Sequence, residues 1–204
     1  MDHHRGGWIE IIAGGMFSGK SEELIRRLRR AVIARQRVQV FKPILDDRFA
    51  TDEVVSRDER RLKALAVATS HDLLTRVEIG VQVVGVDEIQ FFDPGIVDVC
   101  MQLADAGIRV IAAGLDQDYM RRPFGPMPGL LAVAEEVSKM HAVCVRCRGA
   151  AHYSQRVSGG NNQVEVGDST YEARCRHCFE PYRAAPEETP AVQLTIPAPA
   201  AGNA

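Results

Sequence analysis

Gly14-Gly15-Met16-Phe17-Ser18-Gly19-Lys20-Ser21 fits the phosphate-binding loop pattern G-x-x-x-x-G-K-S/T, and its surroundings supply the context that pattern requires. The apolar run Trp8-Ile9-Glu10-Ile11-Ile12-Ala13 before it suits a buried strand, and a helix-forming stretch begins at Ser21-Glu22-Glu23-Leu24. The chemistry asks for these residue types. Glycines let backbone N–H groups curl around phosphate oxygens, and Lys20 brings a point charge to the β- and γ-phosphates. The Ser21 hydroxyl is then placed to ligate Mg²⁺ at a helix N-terminus, whose dipole favours anions. The plain alternative is a glycine-rich turn with a solvated lysine, which the flanking strand and helix argue against.

Further along, Leu24, Leu28, Ala31 and Val32 recur at helical spacing, with Glu22 and Glu23 in the first turn and Arg29, Arg30 and Arg35 toward the end. Those arginines read as a solvated helix face. Val38-Gln39-Val40-Phe41 reads as a strand broken at Lys42-Pro43, and Asp46 to Glu59 as a long charged surface loop. Strands are expected at Leu62 to Val67, Val81 to Val86 and Ile108 to Leu115, and helices at Ser70 to Leu74 and Pro94 to Ala106. Strands alternating with helices give an α/β fold: a phosphate-loop (RecA-like) parallel sheet with helices on both faces. After it come a Gly- and Pro-rich stretch, Pro123 to Gly129, and an apolar one, Leu130 to Ala134.

The chain has 204 residues and 46% hydrophobic content, enough for one core plus a small appendage. Its net charge of −2 argues against a nucleic-acid polymer as partner. No apolar run approaches the roughly 20 residues that span a bilayer, and Met1-Asp2-His3-His4-Arg5 lacks the apolar segment of a signal peptide. The expectation is a cytoplasmic protein with no membrane partner. In that compartment Cys144-Val145-Arg146-Cys147 and Cys175-Arg176-His177-Cys178 point to one tetrahedral zinc rather than to disulfides, while Cys100 fits helix packing.

Such a metal would pin both ends of the segment between Cys147 and Cys175, offsetting its closure entropy and holding Tyr153, Arg156, Val164 and Tyr171 in place. Four thiolates complete a closed, structural site, though His141, His152 and His177 are alternative ligands and free or redox-active thiols the alternative state. The organisation read from composition is a nucleotide-binding domain over 1–142, a zinc-ribbon-like module over 143–183 and a Pro/Ala-rich tail over 184–204.

Val83-Val84-Gly85-Val86-Asp87-Glu88 is an apolar strand ending in carboxylates, which in phosphate-loop proteins places an acid beside Mg²⁺. Asp87 is the candidate metal ligand, directly or through water. Phosphoryl transfer to an alcohol needs a group that takes the hydroxyl proton, and Glu88 is the candidate for it. Taken singly, each is also what a strand-end carboxylate capping a turn looks like. Asp87-Glu88-Ile89-Gln90 resembles the acidic motif of helicase-type ATPases as well, so a nucleic-acid-dependent motor is the rival; the charge and the lack of a second motor domain count against it. A regulatory nucleotide-binding module is a third reading, and it needs the Glu88 side closed to small molecules. Phe91, Phe92, Tyr119 and Phe124 suit stacking on a nucleobase, although Phe91 and Phe92 equally fit an ordinary core.

Taken together, these residues resemble thymidine kinases of the zinc-containing type II class. The matching stretches are Gly15 to Ser21, Phe41-Lys42-Pro43 with Asp46-Asp47-Arg48, Asp87 to Phe92, Gly114-Leu115-Asp116, Arg122-Pro123-Phe124-Gly125, both CxxC pairs and Tyr171-Glu172. They run in order from about Trp8 to about Tyr182. The resemblance implies transfer of the ATP γ-phosphate to the 5′-hydroxyl of thymidine or deoxyuridine with Mg²⁺, by a homotetramer carrying structural zinc. It implies Glu88 as proton acceptor. Nucleotide contacts would come from Gly14, Gly15, Met16, Phe17, Ser18, Gly19, Lys20, Ser21, Asp46, Arg48, Asp87 and Gln90. Met16, Phe91, Leu115, Tyr119 and Phe124 would surround the nucleoside, and Val164, Val166, Gly167 and Tyr171 would close over it. Arg156 would lie near the phosphates. Gly167-Asp168 replaces a frequent glycine pair, the loop to Tyr171 is one residue shorter, and Gly14-Gly15 stands where Gly-Pro is frequent.

Overall fold

Strand β1 (Trp8–Gly14) is buried on both faces, and its side chains feed two different cores. Ile9, Ile11 and Ala13 join one, and Ile12 joins the other, as the period of two in a strand requires. The computed structural model describes residues 6–44, 53–55, 61–158 and 170–181. After β1 come α1 (Lys20–Ile33), β2 (Val38–Pro43), β3 (Glu53–Val55), β4 (Arg61–Lys63), β5 (Leu65–Val67), α2 (Ser70–Arg76) and β6 (Val83–Val86). A 3₁₀ turn at Ile89–Phe91 leads to α3 (Ile96–Asp105), β7 (Arg109–Gly114), α4 (Met127–Val133) and β8 (Glu136–Met140).

Six of these strands form one sheet in the order β5-β2-β6-β7-β1-β8, with every pairing parallel. One face carries α1, whose Leu24, Ile25, Leu28 and Ala31 cover Ile12, Val40, Val83, Ile111 and Ala113. The other carries residues of α2, α3 and α4, among them Leu73, Ile96, Cys100 and Leu130. Each such leucine or isoleucine contributes about 1.5–3 kcal/mol on burial. The α/β reading with helices on both faces therefore holds. Arg35, in left-handed conformation at φ 60°, ends α1 while Gln36 donates its N–H back to the Ala31 carbonyl. Cys100 is a packed core thiol, pushed up to about 12 by burial.

The structure corrects the expected element map in three places. Leu62 to Val67 is not one strand: β4 pairs antiparallel with β3, within the segment expected to be loop, and β5 joins the sheet beside β2. The helix expected from Pro94 starts at Ile96, because Pro94 and Gly95 form the turn that enters it. Strand β8 went unread. It is an edge strand with Glu136 and Val137 exposed, so it shows neither alternation nor an apolar run, and its register is set by β1.

A second, smaller set follows: β9 (Ala142–Val143) pairs with β10 (Ala150–Ala151), and β11 (Tyr153–Arg156) with β12 (Tyr171–Arg174), both antiparallel. Its core is Ala142, Cys144, Ala151 and Ala173, with Phe17 of the phosphate loop packed against it. Among the described residues no helix is long and apolar enough to cross a membrane.

One charge lies inside the sheet. Glu10 is only 2% exposed and accepts hydrogen bonds from Arg109 Nε at 2.6 Å, Arg27 Nη1 at 2.7 Å and Trp8 Nε1 at 2.8 Å. Arg27 also donates to Glu23 and to Ser138, so α1, β1 and β8 share one polar clasp. Burial alone would raise the Glu10 carboxyl, but the bonds from Arg109 and Arg27 more than reverse it, leaving it below its ordinary 4.5. Removal of the carboxylate by Glu10→Ala is expected to cost about 2–4 kcal/mol near neutral pH, less than for a wholly buried pair because the arginines stay partly exposed. A lowered carboxyl pKa adds stability above the unfolded value, and this is lost as pH falls through the folded one. The melting-temperature gap between wild type and variant should therefore be full at pH 7 and shrink progressively as pH falls below about 4.5, as thermal scans at pH 7 and at about pH 3 would show.

Candidate active site

Parallel pairing brings the carboxyl ends of β6, β7, β1 and β8 to one edge, and the site is built there. The loop from Gly14 to Ser21 leaves β1 between β7 and β8, with Ala13 opposite both Gly114 and Lys139. A Cβ at Gly14 would lie 2.6 Å from the Met140 carbonyl oxygen, so only glycine allows this exit. Phe17 and Gly19 take left-handed conformations that curl the chain, and Glu23 N–H to the Gly19 carbonyl at 3.0 Å starts α1. The Gly15 carbonyl accepts from both Ser18 Oγ and Lys20 Nζ at 2.8 Å, holding the ammonium across the loop. Crowding by protein lowers the Lys20 pKa, an effect opposed by the charges of Glu88, Asp87 and Asp116.

Ser21 Oγ lies 3.4 Å from Asp87 Oδ1, so the two candidate Mg²⁺ ligands meet at the junction of α1 and β6. Burial, then the neighbouring Glu88 charge, pushes the Asp87 carboxyl up to about 7, against hydrogen bonds from Glu88 N–H and Ser21 and the Lys20 charge. A hydroxyl and a carboxylate so placed fit a hard divalent cation, which would restore the charged carboxylate.

Glu88 sits in left-handed conformation at φ 52°, an unusual state for a non-glycine residue and a frequent one at functional sites. Its carboxylate accepts from Gln90 Nε2 at 2.5 Å, while Gln90 Oε1 accepts from Leu115 N–H at 3.0 Å. Gln90, 2% exposed, thus brackets the ends of β6 and β7 and fixes where the Glu88 carboxylate lies. The Phe91-Phe92 doublet splits. Phe92 is core, whereas Phe91 is half-buried and meets Phe124 edge to face, with ring centroids 5.4 Å apart.

Tyr119, Arg156 and Tyr171 form a third group. Arg156 is 1% exposed, its guanidinium lies 3.7 Å from the Tyr119 ring centroid, and it donates to Tyr171 Oη at 2.6 Å. The resemblance put Arg156 near phosphates; these contacts put it against the tyrosines expected around the nucleoside. Asp46, Arg48, Val164, Val166 and Gly167 lie outside the described residues.

Cys144, Cys147, Cys175 and Cys178 place their sulfurs within 4.8 Å of one another, and Cys147 Sγ and Cys175 Sγ are 3.6 Å apart. A tetrahedral Zn–S₄ site with bonds of about 2.3 Å needs sulfur separations of about 3.8 Å, so this donor set fits a metal ion. Backbone N–H groups, that of Cys147 foremost, lower Cys144 to about 6, and that of Cys178 foremost lowers Cys175. Burial and the neighbouring sulfurs push Cys178 up to about 12, the repulsion a cation would relieve.

Sequence reading missed several contributors. Asp116, at the end of β7, pairs with Lys139 of β8 at 2.9 Å, reaching past the strand end from which the phosphate loop departs. Asp118 accepts from Met120 N–H, Arg122 N–H and Arg122 Nε, shaping the loop that carries Tyr119. Ser154 Oγ accepts from Met16 N–H at 2.9 Å. Asp116 closes the matched stretch Gly114-Leu115-Asp116, but its Lys139 partner is 23 positions away; no motif marks Asp118 or Ser154, whose partners are mostly backbone N–H groups.

A glycine-lined anion loop opening a helix after β1, with an acidic pair at the end of β6 one strand removed, is the constellation of phosphate-loop nucleotide-dependent enzymes. The thymidine kinase family model matches residues 7–179. Similar proteins include the thymidine kinase of Rhodothermus sp., 54% identical over 96% of this chain and 90% of its own length. Others are those of Bacteroides thetaiotaomicron, 51% identical over 86% and 88%, and Porphyromonas gingivalis, 50% over 96% and 95%. The chain belongs to the thymidine kinase family, and is thereby an enzyme of the nucleoside kinase class.

Gly125 is closely fitted against the turn that carries Gln90. Its φ is 47°, and a Cβ there would lie 2.3 Å from the Gln90 carbonyl oxygen. Gly125→Ala is expected to cost at least ~1–2 kcal/mol from the left-handed conformation alone. It should also cut turnover, because displacing the turn at Gln90 releases Glu88. Thermal unfolding and kcat together check this, and a variant unchanged in both would show that the contact is not a constraint.

Proposed function

We propose that this enzyme transfers the γ-phosphate of ATP to the 5′-hydroxyl of thymidine, and of deoxyuridine, in pyrimidine deoxynucleoside salvage, with Glu88 as the proton acceptor. The observation that carries the reading is the Gln90 bracket: a carboxylate in strained backbone, held by an amide anchored on β7, next in sequence to the acid that meets Ser21. In the proposed reaction the loop amides and Lys20 receive the triphosphate, and Ser21 and Asp87 would hold Mg²⁺, which would supply neutralising charge for the phosphoryl oxygens. Gln90 donates to one carboxylate oxygen of Glu88, leaving the other to accept the attacking hydroxyl's proton. Phe91 and Phe124 offer an aromatic corner for the pyrimidine, and Tyr119 and Tyr171, joined by Arg156, flank the nucleoside. Asp46 and Arg48 on the phosphate side, and Val164, Val166 and Gly167 over the base, complete the proposed contacts on the strength of the family resemblance.

The metal on the four cysteines is read as zinc in a structural role, because four thiolates leave no position open for chemistry. Thiolates committed to a metal suit a reducing cytoplasm. The division into a nucleotide-binding domain over 1–142 and a metal module over 143–183, and assembly as a homotetramer, are part of the same proposal.

Glu88→Gln should bind ATP as the wild type does while turnover falls by about 10²–10⁴-fold, the usual contribution of a general base. A coupled ADP assay with thymidine, alongside direct nucleotide binding, measures both, and retention of full turnover would remove Glu88 from the role. Metal analysis of protein purified under reducing conditions should find about one zinc per chain, falling toward zero in Cys147→Ser. Metal-free wild type that stayed folded would overturn the zinc reading.

A further inference from the structure

The strand β11 touches both halves of the site. Residues two apart in a strand share a face, and on one face of β11 lie Ser154 and Arg156. Ser154 accepts from Met16 N–H in the phosphate loop, and Arg156 holds Tyr119 and Tyr171. The opposite face faces the metal module itself, where Gln155 Oε1 accepts from Glu180 N–H and the Tyr153 ring meets Phe179 at 5.4 Å. The contact between module and phosphate loop is continuous. A Cβ on Gly15 would lie 3.2 Å from the His152 carbonyl oxygen, and Phe17 packs on the small core that contains Cys144. From the cysteines, Val145 N–H donates to the Ala173 carbonyl of β12, whose register with β11 sets the position of Ser154.

We propose that Ser154 is a positioning residue for the phosphate loop, the point at which the metal-bearing module fixes the shape of the nucleotide site. A phosphate loop grips its anion with backbone N–H groups, so its affinity depends on where the backbone is held before the ligand arrives. Ser154 holds the loop at Met16, between the Gly14 exit and the Gly19 turn, alongside the bonds that the loop's own Ser18 and Lys20 make to the Gly15 carbonyl. The proposal rests on assigning Gly14 to Ser21 to ATP.

The test uses full-length, metal-replete enzyme and a non-hydrolysable ATP analogue with Mg²⁺, titrated calorimetrically, with KM values for ATP and thymidine measured in parallel. Ser154→Ala is expected to weaken analogue binding and raise the ATP KM by about three- to tenfold, the range one neutral hydrogen bond supports, with thymidine KM and zinc content unchanged. Ser154→Thr, which keeps the hydroxyl, should recover most of the loss. Arg156→Lys should move the thymidine KM and leave the analogue affinity in place. Wild-type analogue binding by Ser154→Ala, or equal loss of both substrates, overturns the proposal, since a merely structural serine affects both alike. Lys20→Ala separates the two levels: if it binds analogue normally, the nucleotide assignment of the loop fails, whatever Ser154 does.

Discussion

Parallel hydrogen bonding of β1 between β7 and β8 puts Ala13, Gly114 and Lys139 at one level, and the strand ends beyond them at the next. Parallel sheets need crossover helices, so the chain leaving each strand end must turn away over one face or the other. The turns gather along a single edge. There the Gly14 loop, the Asp87-Glu88 pair and the loop beginning at Leu115 come together without any of them being adjacent in sequence. Slip β1 by one residue against β7, and Ile12 would exchange cores with Ile11 and Ala13 while Glu10 left its arginines. The packing of both faces therefore fixes the register on which the site depends.

Charge at this edge is balanced only in part by the protein. Lys20 lies near four carboxylates, those of Glu88, Asp87, Asp116 and Glu22, and Asp116 is already paired with Lys139. Burial lifts Asp87, and Glu88 adjoins it in strained backbone. Such an arrangement is costly in the protein alone and would become favourable if a cation and a polyanion entered together. That is the pattern expected where folding energy maintains a site prepared for developing charge. The cysteines repeat this logic at smaller scale: backbone N–H groups favour thiolates at Cys144 and Cys175, while burial and the neighbouring sulfurs oppose one at Cys178.

What could be read from the sequence was what chemistry restricts to particular residue types. An anion loop demands glycines and a lysine, a metal cage demands thiols, and a strand buried on both faces demands an apolar run, so β1, β6, β7 and the cysteine cluster were legible. Strand β8 was not, because an exposed edge strand needs no apolar pattern of its own. Glu10 was legible only as an interruption, since Arg27 and Arg109 lie 17 and 99 positions away. The Phe91-Phe92 doublet was ambiguous because a 3₁₀ turn sends neighbouring rings to different environments, one to the core and one to Phe124.

The restraints on the phosphate loop explain why its partners are so hard to see. Where backbone approaches backbone, the residue that must be small becomes a glycine and enters a motif, while the residue opposite supplies only a carbonyl and can have almost any side chain. Met140 and His152 face Gly14 and Gly15 in this way. Ser154 is the intermediate case: its side chain matters, but it bonds to an amide 138 positions away whose own side chain is irrelevant to the bond. A motif thus records one side of each contact. The other side belongs to β8 and to the cysteine-bearing segment, which is why stretches with no phosphate-loop signature of their own still shape the backbone of that loop.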